Sequence, residues 1–199
     1  MNKKQLQSEQ TKKRIADAAR ALFVQKGYKA TSIEDIVAAT GSSKGNIYYH
    51  FKSKEGLFLT LLEDWDREWD EQWSQKEAQY TSVAEKLYGM TDHLVRDDMN
   101  HPLTKASDEF FNSDEISPEG EERIAQLVEN HLQFFRKLIS QGIENQEFKS
   151  ENVEHVAITL ESLFLGLSQM ARKLTLDEAL ALYQSAIGVF LHGMVKKSA

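Results

Sequence analysis

Apolar residues recur every three or four positions along nearly the whole chain, which is the spacing of one face of an α-helix. The first such segment covers about residues 8–26 and is followed by Gly27. Two short segments come next, one that ends at Thr40-Gly41 and one over about residues 43–49. Two short helices joined by a tight turn that contains glycine are typical of the helix-turn-helix motif.

Capping signals indicate where the helices begin and end. Thr31-x-x-Glu34 and Ser32-x-x-Asp35 both fit the start of the second helix, and the first is the stricter capping box. We expect Gly27 to close the first helix in a left-handed conformation. Further helices are predicted at about residues 53–79, 82–98, 102–111, 117–142, 150–173 (from Ser150 or Asn152) and 175–193. The sequence therefore predicts an all-α chain of nine helices without strands.

The composition agrees with a helical protein and excludes several classes of site. The 199 residues include only two prolines and ten glycines, too few for a sheet of tight hairpins, and no cysteine. The histidines never fall three or four residues apart, so no metal motif is recognisable and we expect no cofactor. Residues 1–10 lack the apolar core of a signal peptide, and no segment is long enough for a membrane span. We expect a cytoplasmic protein that does not associate with membranes.

Charge is distributed unevenly along the chain. The formal net charge is -7, but residues 1–54 carry +7 and the remainder carries −14. A basic N-terminal quarter on an acidic body is typical of a DNA-binding head joined to a body with another purpose. The charge pattern alone is equally compatible with a solvated lysine-rich helix face.

The segment Gly41–Lys54 concentrates side chains that suit contacts with DNA. Ile47 and Phe51, four residues apart, are the apolar anchors of its helix. The other side chains of this helix project away from the anchors and can donate to phosphates or touch bases. They carry amine, amide, phenol and imidazole groups and belong to Lys44, Asn46, Tyr48, Tyr49 and His50. Gly45 allows a close approach of the backbone to DNA. Lys54 lies in the first turn of the next helix, where free backbone N–H groups also attract a phosphate.

These residues resemble the DNA-binding domain of TetR-family regulators. The resemblance lies in Gly27-Tyr28-x-x-Thr31-Ser32-Ile33-x-x-Ile36 and in Ser43-Lys44-Gly45-Asn46-Ile47-Tyr48-Tyr49-His50-Phe51-x-x-Lys54. Leu57-Phe58-Leu59 and Trp69-Asp70-Glu71-Gln72-Trp73 are similar to multidrug-sensing members of that family.

The resemblance implies a helix-turn-helix DNA-binding domain over residues 1–54 and a ligand-binding and dimerisation domain over residues 55–199. It further implies a homodimer, a double-stranded DNA operator, a small-molecule inducer and repression. By position it implies DNA contacts from Thr31, Lys44, Gly45, Tyr48, Tyr49, His50 and Lys54. Asn46 is less usual in the family, and its amide is geometrically suited to adenine.

The sequence also bears on two other classes of protein. Gly41-Ser42-Ser43-Lys44-Gly45 matches the G-x-S-x-G nucleophile elbow, but that motif requires a preceding buried strand and a short capped helix is predicted there instead. Nothing else indicates a catalytic group, so we expect no enzyme. A helical adaptor that binds protein instead of DNA is the remaining alternative.

Tryptophans at positions 65, 69 and 73 lie roughly along one face of the fourth helix and alternate with acidic residues. They are either core residues or part of a pocket in which aromatic faces and a carboxylate hold a lipophilic cation. The aromatic and acidic candidates for such a pocket are Trp65, Asp66, Trp69, Asp98, His101, Phe110, Phe111, Phe134 and Phe135. The phenylalanines would also suit a fatty acyl or other apolar metabolite. Control of an efflux gene is the corresponding hypothesis for a cationic inducer.

The last two predicted helices contain long uncharged stretches, over residues 162–171 and 179–192. One chain cannot easily cover such helices on all sides, although burial within one chain is the alternative. Pairing with the same helices of a second copy would bury them in a four-helix bundle. The predicted interface residues are Leu163, Phe164, Leu167, Met170, Tyr183, Ile187 and Phe190.

Overall fold

The structure is a computed structural model that describes residues 2–113 and 116–194, without the side chains of residues 98–100. Over these residues the regular elements are nine α-helices, which confirms the predicted all-α class. The helices are α1 (Lys3–Lys26), α2 (Ile33–Thr40), α3 (Lys44–Phe51), α4 (Lys54–Glu77), α5 (Val83–Asn100), α6 (Thr104–Phe111), α7 (Pro118–Glu144), α8 (Val153–Ala171) and α9 (Leu176–Met194).

The helices form two compact units. The first contains the residues up to Glu68 together with His101–Ala125, and the second contains Trp69–Asn100 together with the residues from Gln126 onward. Helices α4 and α7 therefore contribute residues to both units. The first unit extends past residue 54, where the sequence places the end of the first domain, because the buried side chains of α6 belong to its core.

Aromatic rings form the centre of the first unit. The ring of Phe58 lies 4.9 Å from the ring of Phe23, 4.9 Å from that of Tyr28 and 5.2 Å from that of Phe110. Phe23, Phe58 and Phe110 are essentially inaccessible to solvent. Full burial of a side chain of this size contributes about 1.5–3 kcal/mol, so these rings bind α1, α4 and α6 into one core.

The ends of α1 and α2 differ in three details from the sequence prediction. Helix α1 begins at Lys3 instead of residue 8, because Asn2 and Gln5 form a capping box at its N-terminus. The capping box of α2 is formed by Ser32 and Asp35 and not by the Thr31 pair. Gly27 does end α1, but with φ 86 and ψ 171 instead of a left-handed helical conformation. The left-handed cap is at Gly41, with φ 65 and ψ 10.

Polar contacts tie α6 and the start of α7 to the rest of the first unit. Glu109 Oε2 accepts a hydrogen bond of 3.0 Å from the backbone N–H of Lys29. Arg123 donates to Glu63 Oε1 at 2.8 Å and to the carbonyl of Gly56 at 2.9 Å. Each contact joins the N-terminal helices or α4 to a segment more than 50 residues away in sequence, so this unit is not a locally folded head.

The second unit has a separate core built from α4, α5, α7, α8 and α9. Its largest buried side chains include Trp73, Phe148 and Tyr183. The ring of Phe164 stacks on that of Phe135 at 5.7 Å and lies 6.1 Å from the ring of Tyr183. These rings join α7, α8 and α9 within one chain.

Gly27→Ala is expected to lower the free energy of unfolding by more than Gly41→Ala. Both glycines have positive φ, for which a side chain costs about 1–2 kcal/mol. At Gly27 an added Cβ would also collide with the carboxylate of Glu109 and displace it from its hydrogen bond with the Lys29 N–H, whereas at Gly41 nothing lies within 4 Å. Urea denaturation followed by circular dichroism measures both values. Equal losses in the two variants would contradict the role assigned to the Glu109 contact.

Candidate nucleic-acid interface and ligand site

Helix α3 is held by its two apolar anchors and by its N-cap. Ile47 is fully buried and Phe51 is 3 % exposed, as predicted from their spacing. The hydroxyl of Ser43 accepts a hydrogen bond of 3.2 Å from the backbone N–H of Asn46. Because the two anchors face the core of the first unit, the remaining side chains of this eight-residue helix are directed to its surface.

The outward face of α3 carries most of the predicted DNA contacts. Tyr49 is 72 % exposed and Tyr48 is 39 % exposed, which is unusual for rings of this size on a plain surface. Lys44 and Gly45 are exposed, and Asn46 and His50 are half-buried. A Cβ at Gly45 would meet no atom within 4 Å, so this glycine leaves open space above the backbone.

Lys44 forms an ion pair that the sequence does not predict. Its Nζ lies 2.6 Å from Glu34 Oε1, in the first turn of α2. A hydrogen bond from Lys44 lowers the pKa of Glu34, and the same contact raises the pKa of Lys44. A phosphate that binds Lys44 must compete with this carboxylate. The sequence placed Glu34 in a capping box, and the shift of that box to Ser32 and Asp35 frees Glu34 for this pair.

Thr31 and Lys54 have structural partners instead of the exposed positions expected for phosphate contacts. Thr31 is only 1 % exposed, and its hydroxyl donates to the carbonyl of Gly27 at 2.7 Å. The ammonium of Lys54 donates to the carbonyl of Tyr28 at 3.1 Å and lies 4.3 Å from the centre of the Tyr28 ring. Partial burial lowers the pKa of Lys54, and burial raises the pKa of Tyr28 to about 12.

The residues predicted for the ligand pocket fall in two different units. In the first unit, the ring of Trp65 stacks on that of His101 at 3.7 Å with an interplanar angle of 10°. Asp66 is half-buried on the same helix, and Phe111 is 45 % exposed. Phe110 is a buried core residue between Tyr28 and Phe58. Trp65 and His101 thus form the part of the predicted set that the first unit brings together.

In the second unit, Trp69 is surrounded by aromatic side chains. Its ring lies 6.0 Å from that of Trp73, 5.3 Å from that of His93 and 6.3 Å from that of Phe134. Phe135 is buried against Phe164 in the core. The predicted residue Asp98 lies outside the residues whose side chains are described.

His93 was not predicted as a site residue. It is 6 % exposed, and its position three residues after the buried Met90 is the sequence signal that places it on the apolar face of α5. A histidine at such a position is buried with the apolar residues around it, and its polar nitrogens then need partners from elsewhere.

The residues predicted for the dimer interface divide into buried and exposed groups. Phe164, Leu167, Tyr183 and Ile187 are buried within one chain. In the single chain these four residues are core residues, which is the alternative that the sequence left open. Leu163 and Phe190 are half-buried, and Met170 is 73 % exposed.

Other apolar side chains of α8 and α9 are exposed, and the sequence did not single them out. Val189 is 74 % exposed, Leu165 54 % and Ile158 44 %. A groove of about 450 Å³ on the same two helices is lined by Ser162, Leu163, Gly166, Leu167, Met170, Leu174 and Leu182. These side chains leave a sizeable apolar surface on one chain.

Within the described residues no helix is long and apolar enough to cross a membrane. The same residues contain no group of three histidine, aspartate or glutamate side chains placed to hold a metal ion.

A short helix with a capped N-terminus, buried anchors, exposed phenol and amine groups and a half-buried amide is typical of the helix-turn-helix DNA-binding regulators. Family comparisons specify the class further. A sequence model described as bacterial regulatory proteins, tetR family, matches residues 15–61, and one described as QacR-like protein, C-terminal region, matches residues 65–196. The chain belongs to the TetR family and has a QacR-like C-terminal region. Proteins of this family are ligand-responsive transcriptional regulators and not enzymes, as the sequence predicted.

Individual relatives agree with this assignment. The chain is 29% identical over 185 residues to the HTH-type transcriptional regulator QacR of Staphylococcus aureus, covering 93% of this chain and 98% of that protein. It is 27% identical over 163 residues to the HTH-type transcriptional repressor ComR of Escherichia coli, covering 79% and 77%.

Solved structures show the same fold. A TetR-family regulator from Syntrophomonas wolfei aligns with a TM-score of 0.77 at 22% identity, covering 93% of this chain and 96% of that one. NalD, the secondary repressor of the MexAB-OprM multidrug efflux pump in Pseudomonas aeruginosa, aligns with a TM-score of 0.68 at 22% identity, covering 96% and 99%.

Glu34→Gln is expected to tighten DNA binding by about two- to fivefold. The substitution removes a negative charge beside the helix that is predicted to face DNA and releases Lys44 for phosphate, and the effect is small because an exposed ion pair is weak. Fluorescence anisotropy with a labelled duplex at constant salt measures the dissociation constant. Glu151→Gln makes the same charge change on an exposed residue of the second unit and serves as the control. An affinity that changes equally in both variants would refute competition at Lys44.

Proposed function

We propose that this protein is a cytoplasmic repressor that binds a (pseudo)palindromic operator as a homodimer and is released by a small lipophilic inducer. The observation that carries the proposal is the outward face of α3, where exposed tyrosines and Lys44 lie above buried anchors. Both curated relatives described above are helix-turn-helix regulators, and one of them is a repressor. NalD represses a multidrug efflux pump, which supports an efflux gene as the target.

Different side chains of α3 perform different tasks in this proposal. Lys44, Tyr48, Tyr49 and His50 contact the sugar-phosphate backbone, which sets affinity and position without reading sequence. Asn46, half-buried near the start of the helix, reads a base edge, with adenine as its geometric match. Gly45 allows the backbone to approach the DNA because no side chain stands between them. Thr31 and Lys54 support this surface through their contacts with Gly27 and Tyr28.

A homodimer is proposed because the single chain leaves apolar side chains of α8 and α9 in solvent. Exposure of Met170 and Val189 above 70 % is costly, and a second copy of the same two helices would cover them. A two-fold dimer then presents two α3 helices to successive major grooves, about 34–36 Å apart.

Helix α4 supplies the proposed route from ligand to DNA. It carries Lys54 beside Tyr28 in the first unit and Trp69 among aromatic rings in the second. A ligand that displaces the ring of Trp69 would shift this continuous helix and with it the spacing of the two α3 helices. The ligand can change operator affinity only by the difference in its affinity for the two states.

The chemistry of the inducer has two candidates from the sequence. Asp66 and the rings of Trp65 and His101 support a lipophilic cation, which aromatic faces and a carboxylate attract together. The exposed Phe111 and the half-buried Phe134 would instead support a fatty acyl or other apolar metabolite.

Duplexes selected from a random pool are expected to bind the protein with an affinity that falls steeply between 50 and 200 mM salt, on the order of a hundredfold or more. Gel shift at several salt concentrations measures this affinity, and a flat salt response would favour the helical adaptor over the DNA regulator.

Lys44→Ala should weaken binding to all sequences. Asn46→Ala should relax preference at one base position, which is worth about 1–3 kcal/mol. Gly45→Ala should weaken binding while leaving the protein at least as stable. Gel shift measures the affinity of each variant for the selected duplexes, and urea denaturation measures its stability.

The double variant Met170→Lys/Val189→Lys is expected to be monomeric at micromolar concentration. Two charges in the proposed interface oppose association, but both positions are exposed in the single chain, so folding should be preserved. Light scattering after size exclusion measures the mass, and Gln75→Lys is the exposed control on α4. A dimer that persists in the double variant would rule out this face as the interface.

A further inference from the structure

Three nearly parallel rings from α4 and α5 lie together in the second unit. They belong to Trp69, Trp73 and His93, which we call the tryptophan–histidine cluster. The ring centres of Trp69 and His93 are 5.3 Å apart, and those of Trp73 and His93 are 6.2 Å apart, with interplanar angles of 27° and 20°. Tyr80 stacks on Trp73 at 5.8 Å with an interplanar angle of 19°. Because the centres of Trp69 and Trp73 are 6.0 Å apart, the three ring centres form a triangle with nearly parallel planes.

The polar nitrogens of this cluster lack protein partners. Trp69 Nε1, Trp73 Nε1 and His93 Nε2 are shielded from solvent, and none has a hydrogen-bond partner among the described residues. Trp73 is 2 % exposed and His93 is 6 % exposed, whereas the ring of Trp69 is half-buried and reaches the border of the cluster. Buried polar groups are almost always satisfied in native proteins, so these three atoms require an acceptor that the described residues do not supply.

All three nitrogens are donors. An indole nitrogen can only donate a hydrogen bond. Lys76 Nζ lies 3.0 Å from His93 Nδ1, and because an ammonium group also only donates, Nδ1 must accept and Nε2 carries the proton. Burial and the charge of Lys76 lower the pKa of His93, which keeps the ring neutral in this tautomer, although Asp97 and Asp92 act in the opposite direction. The carbonyl of Trp69 also favours the charged ring, but it is not in hydrogen-bonding geometry with Nε2.

The cluster therefore presents three N–H donors and one neighbouring ammonium group, and no acceptor among its own ring nitrogens. We propose that it binds an aromatic ligand that carries an acceptor oxygen, as a carboxylate or a ketone, with the ligand ring stacked on Trp69 and the oxygen facing the N–H groups. This inference rests on the proposed function and names the chemistry of its inducer. A cationic group that faces these N–H groups would find no acceptor among them and would be repelled by Lys76. Asp97 and Asp92 offset part of that charge, so we expect the preference for an acceptor to come mainly from the N–H donors.

Three probes that share one ring system test this chemistry on the full-length protein. They are 2-naphthoate, with an anionic acceptor, 2-acetylnaphthalene, with a neutral acceptor, and (2-naphthylmethyl)trimethylammonium, with a cation and no acceptor. Isothermal titration calorimetry measures each dissociation constant. We expect 2-naphthoate and 2-acetylnaphthalene to bind at least tenfold more tightly than the ammonium compound. A cation that binds as tightly as either acceptor probe would overturn the inference.

Variants identify the donors. Trp73→Phe keeps an aromatic side chain but removes the pyrrole part of the indole with its N–H, and it should weaken both acceptor probes by about five- to tenfold, which is the usual effect of one buried hydrogen bond. Lys76→Gln should weaken 2-naphthoate more than 2-acetylnaphthalene, because only the first carries a charge. Tyr88→Phe removes a hydroxyl from α5 outside the cluster and is the control. Thermal denaturation confirms that each variant is folded, and unchanged affinities in folded Trp73→Phe would also overturn the inference.

Operator binding by the same preparations separates this inference from the proposed function. A protein that binds selected DNA but none of the three probes contradicts the inference alone. A protein that binds no DNA contradicts the proposed function, whatever the probes do. Release of DNA by 2-naphthoate, with loss of that effect in Trp73→Phe, would support both.

Discussion

The burial of Ile47 and Phe51 is the constraint on which the DNA-binding surface depends. An eight-residue helix is not stable by itself in water, so α3 forms because these two side chains are inserted into the core of the first unit. Their spacing of four residues sets the rotation of the helix and thereby directs Lys44, Tyr48 and Tyr49 outward. The same core contains Phe58 and Phe110, so residues from α4 and α6 decide how firmly the reading helix is held.

The first unit is larger than a helix-turn-helix motif because polar contacts fasten distant segments to it. Arg123 reaches Glu63, Thr60 and the carbonyl of Gly56, and the side chain of Glu55 accepts hydrogen bonds from Ser117. These groups hold the start of α7 against the start of α4. A change in either helix therefore alters the packing of the first unit, which holds α3 in place.

Much of the fold follows from local rules, and that part was predictable. Periodicity and capping residues located the nine helices of the described residues, and the spacing of Ile47 and Phe51 identified the buried side of α3. Features that depend on long-range contacts were not predictable. The sequence cannot show that Glu34 turns to Lys44 once Ser32 caps α2, or that Thr31 is buried under Gly27. Tryptophans with the same spacing on one helix also have different surroundings, since Trp65 stacks on His101 whereas Trp69 and Trp73 stack with His93.

The chain has three tryptophans, and all of them lie on α4. Trp65 belongs to the first unit, whereas Trp69 and Trp73 belong to the second. The tryptophan emission of the unlabelled protein therefore originates from this one helix and reports on both units at once. Each indole lies within 6.2 Å of a histidine ring, so a displacement of α4 that changes these ring contacts changes the surroundings of its indoles. The protein thus contains an intrinsic optical probe of its own connecting helix.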